Sequence, residues 1–84
     1  MISRYGIFCR VVEQGSFTRA AEACGYSQSA ISQNVRALEQ ETGVTLLSRR
    51  KDGIQLTQDG AGFYPYIQAI FQAAQALERK QQET

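Results

Sequence analysis

The stretch Phe17 to Glu39, FTRAAEACGYSQSAISQNVRALE, leaves this chain little choice of local structure. Ala20, Ala21 and Cys24 recur at helical spacing and form a face of small residues suited to close helix contact. Gly25 then permits a sharp turn, Tyr26 supplies a bulky anchor, and Ser27 is a good N-cap for a second helical run. When residues of that run are placed about 100° apart, Ile31, Val35 and Leu38 fall on one stripe and must face a core. Ser16 can cap the first of the two helices, which is then about eight residues long. Two helices joined by a tight glycine-containing turn make a helix-turn-helix candidate.

The remaining segments fit around this pair. Upstream, Tyr5, Phe8, Cys9 and Val12 recur at helical spacing between Ile2 and Val12, and Gly15 supplies a stop. Beyond Gly43 the period changes: VTLLSRR, then KDG, then IQL reads as two short strands around a turn, with Asp52-Gly53 as a hairpin-type dipeptide. Thr57 is placed to cap a last helix, with Asp59 near its positive N-terminal end. That helix is expected to run to about Lys80, bent or loosened at Pro65, with a frayed RKQQET tail. The predicted architecture is mainly α: a winged helix-turn-helix with a two-stranded β-wing over residues 1–58 and a long linker or dimerisation helix over residues 59–84.

Composition narrows the function classes. Eighty-four residues make one small domain, and the 43% apolar share is that of a globular chain. Neither a membrane span nor a secretory signal is visible, so a cytoplasmic location is expected. Cys9 and Cys24 are too few and too widely spaced for a metal site, no histidine completes one, and both are expected as buried apolar residues. The absence of histidine also rules out a hydrolytic triad that uses one, and GAG at Gly60 to Gly62 lacks the lysine and the βαβ context of a phosphate loop. No catalytic residue, metal or cofactor is therefore predicted.

A net charge of +1 does not decide what the chain binds, but the distribution of polar groups does more. Ser29, Ser32, Gln33, Arg36 and Gln40 cluster within about 100° on the side of the second helix opposite its apolar stripe. No acid lies among them; Glu39 and Glu41 are displaced toward the flanks. Serine and asparagine are weaker helix formers than alanine or lysine, so stability alone would not select such a face. The basic run Arg49, Arg50 and Lys51 falls at the tip of the wing, with Glu39, Glu41, Asp52 and Asp59 within ten positions of it. Hydroxyls, amides and a guanidinium without opposing carboxylates suit a polyanion.

The segment SFTRAAEACGYSQSAISQNVRALEQETGVTLLSRRKDGIQLTQDG, followed by YPYI, resembles the N-terminal winged helix-turn-helix domain of LysR-type transcriptional regulators. The resemblance spans essentially the whole chain, and the joint pattern SFTRAA, SQSAIS, LE, GV and LT plus glycine is highly specific. It implies a bacterial DNA-binding homodimer, attached through its last helix to a larger effector-binding domain, the place for a small-molecule effector, which these residues do not contain. By position, Ser16, Thr18 and Arg19 look like phosphate contacts. Ser27, Gln28 and Ser29 would open the recognition helix, with Ser32, Gln33 and Arg36 in the major groove. The wing departs from the family pattern at Asp52 and Gln55, where basic residues are frequent, and Arg50 or Lys51 would substitute. Leu47 stands where the family more often has phenylalanine. Arg49 matches a usual arginine whose role is open between structure and DNA.

In the last helix, Phe63, Ile67, Ile70, Ala74 and Leu77 recur at intervals of four, three, four and three, the seam of a helix that pairs with a partner helix. Phe71, Ala69, Ala73 and Ala76 widen that apolar surface. A dimer through this helix would read an interrupted inverted repeat in double-stranded DNA. The alternative is a winged-helix protein-interaction module without specific DNA binding, since fold alone does not fix function.

Overall fold

A computed structural model of the chain describes residues 3–83. Its elements follow in the order α1 (Arg4–Gln14), α2 (Phe17–Cys24), α3 (Gln28–Thr42), β1 (Leu47–Arg50), β2 (Gly53–Leu56) and α4 (Gln58–Glu83). The expected start of the first helix at Ile2 lies outside the described residues. Each of the first three helices opens on a serine whose hydroxyl accepts the amide three residues on: Ser3 from Gly6 at 3.3 Å, Ser16 from Arg19 at 3.2 Å and Ser27 from Ala30 at 3.1 Å. Such caps contribute about 1 kcal/mol each. A glycine ends each of these helices; at Gly25, φ is +71°, a left-handed conformation that lets its N–H return to the Ala21 carbonyl while the chain turns into α3.

The core lies where α1, α2 and α3 meet, closed by the loop before β1 and by α4. Ile7, Phe8, Val11, Ile31, Leu38 and Leu46 are fully buried, and Val35 joins them, so the stripe read from the sequence of α3 faces inward. Cys9 is buried too, which pushes its thiol up to about 11 and keeps it a neutral, apolar side chain at physiological pH. Cys24 is only half-buried, because it ends α2 next to the turn.

The wing is shorter than its sequence pattern. Val44 to Leu46 are not strand, and β1 pairs with β2 antiparallel from Leu47 opposite Leu56 to Arg50 opposite Gly53. The loop is therefore Lys51-Asp52, one residue before the expected Asp52-Gly53. Among the described residues positive φ occurs only at glycines, which excludes the hairpin turn that needs φ > 0 at both loop positions. Gly53 instead carries a φ of +130°, and a Cβ there would sit 2.9 Å from the Gly15 carbonyl oxygen. That same oxygen accepts from the Ile54 amide at 3.0 Å, which pins the wing to the corner between α1 and α2.

Helix α4 starts as expected: the Thr57 hydroxyl accepts from the Gly60 amide at 2.9 Å. A Cβ at Gly60 would collide with the Leu46 carbonyl oxygen, so glycine is what allows α4 to approach the loop this closely. The helix runs through Pro65 without interruption and through Glu83, beyond the expected end at Lys80 and along a tail predicted to fray. Pro65 lacks the N–H that would bond to the Ala61 carbonyl, but both residues are exposed, where water can serve that carbonyl. Among the described residues no helix is long and apolar enough to cross a membrane, and no group of three or more His, Cys, Asp or Glu is placed to hold a metal ion.

Candidate nucleic-acid interface

The polar side of α3 forms the centre of the surface. Ser29, Gln33, Arg36 and Gln40 are exposed, and Ser32 is half-buried at their edge. The neighbouring carboxylates are engaged elsewhere. Glu39 turns its Oε2 to the backbone, accepting from the Leu46 amide at 2.7 Å and the Leu47 amide at 3.4 Å. Glu41 faces α1, where Arg4 donates to it at 3.1 Å and the Tyr5 hydroxyl at 2.9 Å, a bond that raises the Tyr5 pKa. Glu39 does line the same shallow hollow as Phe17, Ser32, Arg36, Leu47 and Arg49, so the face has an acid at its rim, with its charge directed inward.

Three local arrangements bring the expected residues together. At the start of α2, Ser16 and Arg19 line a cleft with Lys51, Asp52 and Gln55 of the wing, which assembles three of the predicted contacts on one opening. Where α2 meets α3, the Gln28 amide Nε2 donates to Thr18 Oγ1 at 2.7 Å. Along β1, the Arg49 guanidinium lies 4.7 Å from the centre of the Phe17 ring, a cation–π contact that ties the wing to α2. Arg49 thus has a structural contact, which bears on the role the sequence left open. Arg50 and Lys51 are exposed at the end of the wing. Ser16 and Ser27 are both N-caps, with hydroxyl oxygens that hold helix amides.

The anchoring role of Glu39 and the Phe17–Arg49 pair were missed by sequence reading. A glutamate at the end of a helical run looks like any solvated acid, and its partners are backbone amides that carry no residue signature.

The residues expected at a dimer seam straddle the border between the stripe of α4 that packs on the protomer's own core and the stripe that faces outward. Ile67 is 3% exposed within the protomer's own core, and Phe71 and Ala74 are half-buried, with the Arg10 guanidinium 5.6 Å from the Phe71 ring centre. With Tyr64 they form an inward stripe that meets α1; Tyr64 meets Phe8 edge-on at 6.2 Å. Burial of Tyr64 raises its pKa. Phe63, Ile70 and Leu77 are exposed, together with Tyr66 at 72% and Ala73. The outward apolar row is therefore Phe63, Tyr66, Ile70, Ala73 and Leu77, with intervals of three, four, three and four. The expected seam mixed the two stripes because both share the same period.

Three helices, a glycine turn and a two-stranded wing define a winged helix-turn-helix domain. Comparison with known proteins specifies it further. Residues 2–61 match the family model described as a bacterial regulatory helix-turn-helix protein of the lysR family, and the chain belongs to that family. The HTH-type transcriptional regulator CrgA of Neisseria meningitidis serogroup C (strain 8013) is 43% identical over 72 residues, 86% of this chain and 24% of its own length. An HTH-type transcriptional repressor of Pseudomonas aeruginosa (strain UCBPP-PA14) is 42% identical over 71 residues, covering 84% of this chain and 22% of the repressor. The chain thus spans less than a quarter of the length of these relatives. Among solved structures, the complex of the CbnR DNA-binding domain with DNA aligns at a TM-score of 0.81 with 31% identity, over 95% of this chain and 92% of that one. The complex of the BenM DNA-binding domain with catB site 1 DNA aligns at 0.78 with 31% identity, over 95% and 88%.

Proposed function

We propose that this chain is the DNA-binding domain of a dimeric bacterial transcriptional regulator and that α3 is its recognition helix. The carrying observation is the polar face of α3, whose neighbouring carboxylates are held by the Leu46 and Leu47 amides and by Arg4 and Tyr5. A duplex laid on that face meets Ser29, Gln33 and Arg36 as donors and amide edges, while Arg19 and Lys51 reach phosphates from the cleft beside it. The likeness to two domains solved with DNA supports this reading. The domain acts in the cytoplasm without catalytic chemistry or a cofactor. Any small-molecule effector acts through a domain outside these residues. Pairing of α4 helices presents two recognition helices to an interrupted inverted repeat.

Binding to a duplex is measured as salt is varied. If each protomer neutralises roughly four to six phosphates, the log–log slope is about −4 to −5 per protomer. Arg19→Ala weakens all sequences alike, whereas Gln33→Ala relaxes preference at one or two base pairs with a loss on the order of 1 to 3 kcal/mol for the selected site. A flat salt response would favour a protein-interaction module instead.

A further inference from the structure

Gln28 is the first residue of α3, and Thr18 is the second residue of α2. Both side chains are exposed, yet they are joined across the turn by the 2.7 Å bond from Gln28 Nε2 to Thr18 Oγ1. An exposed glutamine ordinarily samples many rotamers, and ordering it on binding costs affinity. Here the ordering exists before any partner arrives. The orientation of that bond, with Nε2 toward Thr18, defines the edge that remains. A side-chain amide has two N–H donors and one carbonyl oxygen, so one N–H held by Thr18 leaves the other N–H and Oε1 available. That remaining pair is the one that matches adenine, whose N6 donates and whose N7 accepts in the major groove. The threonine oxygen accepts from Gln28 and keeps its own O–H proton to donate outward, where a phosphate oxygen is the natural acceptor at the start of a helix. Hydrogen bonds linked in a chain polarise one another.

We infer that Thr18 is a positioning residue for base reading: it holds Gln28 with its bidentate edge presented to an adenine and links that contact to the phosphate backbone. This rests on the duplex-DNA reading above. The phosphate contact then sets not only where the domain sits but also which way the Gln28 amide faces.

The test uses the 84-residue chain. A site is first selected from a random duplex pool, and Gln28→Ala identifies the base pair whose preference is lost. Affinities of the unmodified chain, Thr18→Val and Thr18→Ser are then measured for the selected site and for its three substitutions at that pair. Thr18→Val keeps the shape but removes the hydroxyl, and the preference for adenine falls about tenfold. Thr18→Ser restores most of it. In the Gln28→Ala background, Thr18→Val changes the preference ratio no further. In the DNA-free protein, the Gln28 side-chain amide proton resonance moves in Thr18→Val and stays in place in Thr18→Ser. The inference is overturned if Thr18→Val weakens every duplex by the same factor and leaves the ratio intact, if the preferred base at that pair is not adenine, or if the Gln28 resonance does not respond. Failure of the DNA reading is distinguishable, because the unmodified chain would then show no salt-dependent binding to any duplex, and the inference would fall with it.

Discussion

Glu39 shows how one side chain can serve stability and binding together. Its carboxylate accepts from the amides of Leu46 and Leu47 at the entry to the wing, and Leu46 is fully buried behind it. The Leu46 amide needs an acceptor because the chain has left α3 and has not yet reached the ladder of β1, which Leu47 opens; a charged acceptor serves both amides at once. The same bonds draw a negative charge away from Arg36. Glu39→Ala leaves two part-buried donors unsatisfied and is expected to cost roughly 1 to 3 kcal/mol of stability. Glu39→Gln keeps an acceptor oxygen without the charge, so its loss is smaller. Denaturant unfolding of the three proteins gives the order, and equal midpoints would show that water replaces the carboxylate without penalty.

At the scale of elements, the wing is pinned next to its tip and unbalanced in charge at the tip itself. The Ile54 amide and the close approach of Gly53 to Gly15 hold β2 immediately after the loop, while Arg49, opposite Ile54, stacks over Phe17. At the tip, Lys51 and Asp52 are both exposed, so an acid stands beside the cation that would enter a groove. Asp52→Arg is expected to strengthen DNA binding, most of all for sites flanked by A·T tracts, whose narrow minor groove attracts cations. No gain on such flanks would mean that the tip stays clear of the groove. The boundaries of α2 and α3 were legible because serine caps, terminal glycines and the Ile31, Val35, Leu38 stripe all act locally. The turn register was not: Asp52-Gly53 has hairpin chemistry, but the contact of Gly53 with Gly15, distant in sequence, places the positive φ after the loop. The polar residues of α3 were legible as a face. What holds their neighbours, from the Glu39 bonds to the Thr18–Gln28 bridge, depends on tertiary placement that no periodicity encodes.

At the scale of the molecule, α4 is longer than the body it packs on. Its 26 residues span about 39 Å at the usual helical rise, and the chain measures 46 Å along its long axis and 26 Å across. Helix α1 covers one stripe, Tyr64, Ile67 and Phe71, and leaves the adjacent one, Phe63, Tyr66, Ile70, Ala73 and Leu77, facing outward. Leu77 is 61% exposed and Ile70 46%, in a continuous row of apolar residues that a soluble monomer rarely presents. Intervals of three and four are the pattern by which one helix packs on another, so a second copy of α4 is the partner we propose. The two stripes make the proposal sharp. Leu77→Glu alters only the outward row and is expected to give a folded monomer with much weaker DNA binding, since two linked half-sites no longer engage together. Ile67→Glu buries a carboxylate in the protomer's own core and is expected to unfold the domain. Sedimentation at high micromolar concentration reads the first effect and circular dichroism the second. A monomeric unmodified chain, or a Leu77→Glu variant that remains dimeric, would move the dimer contact off α4.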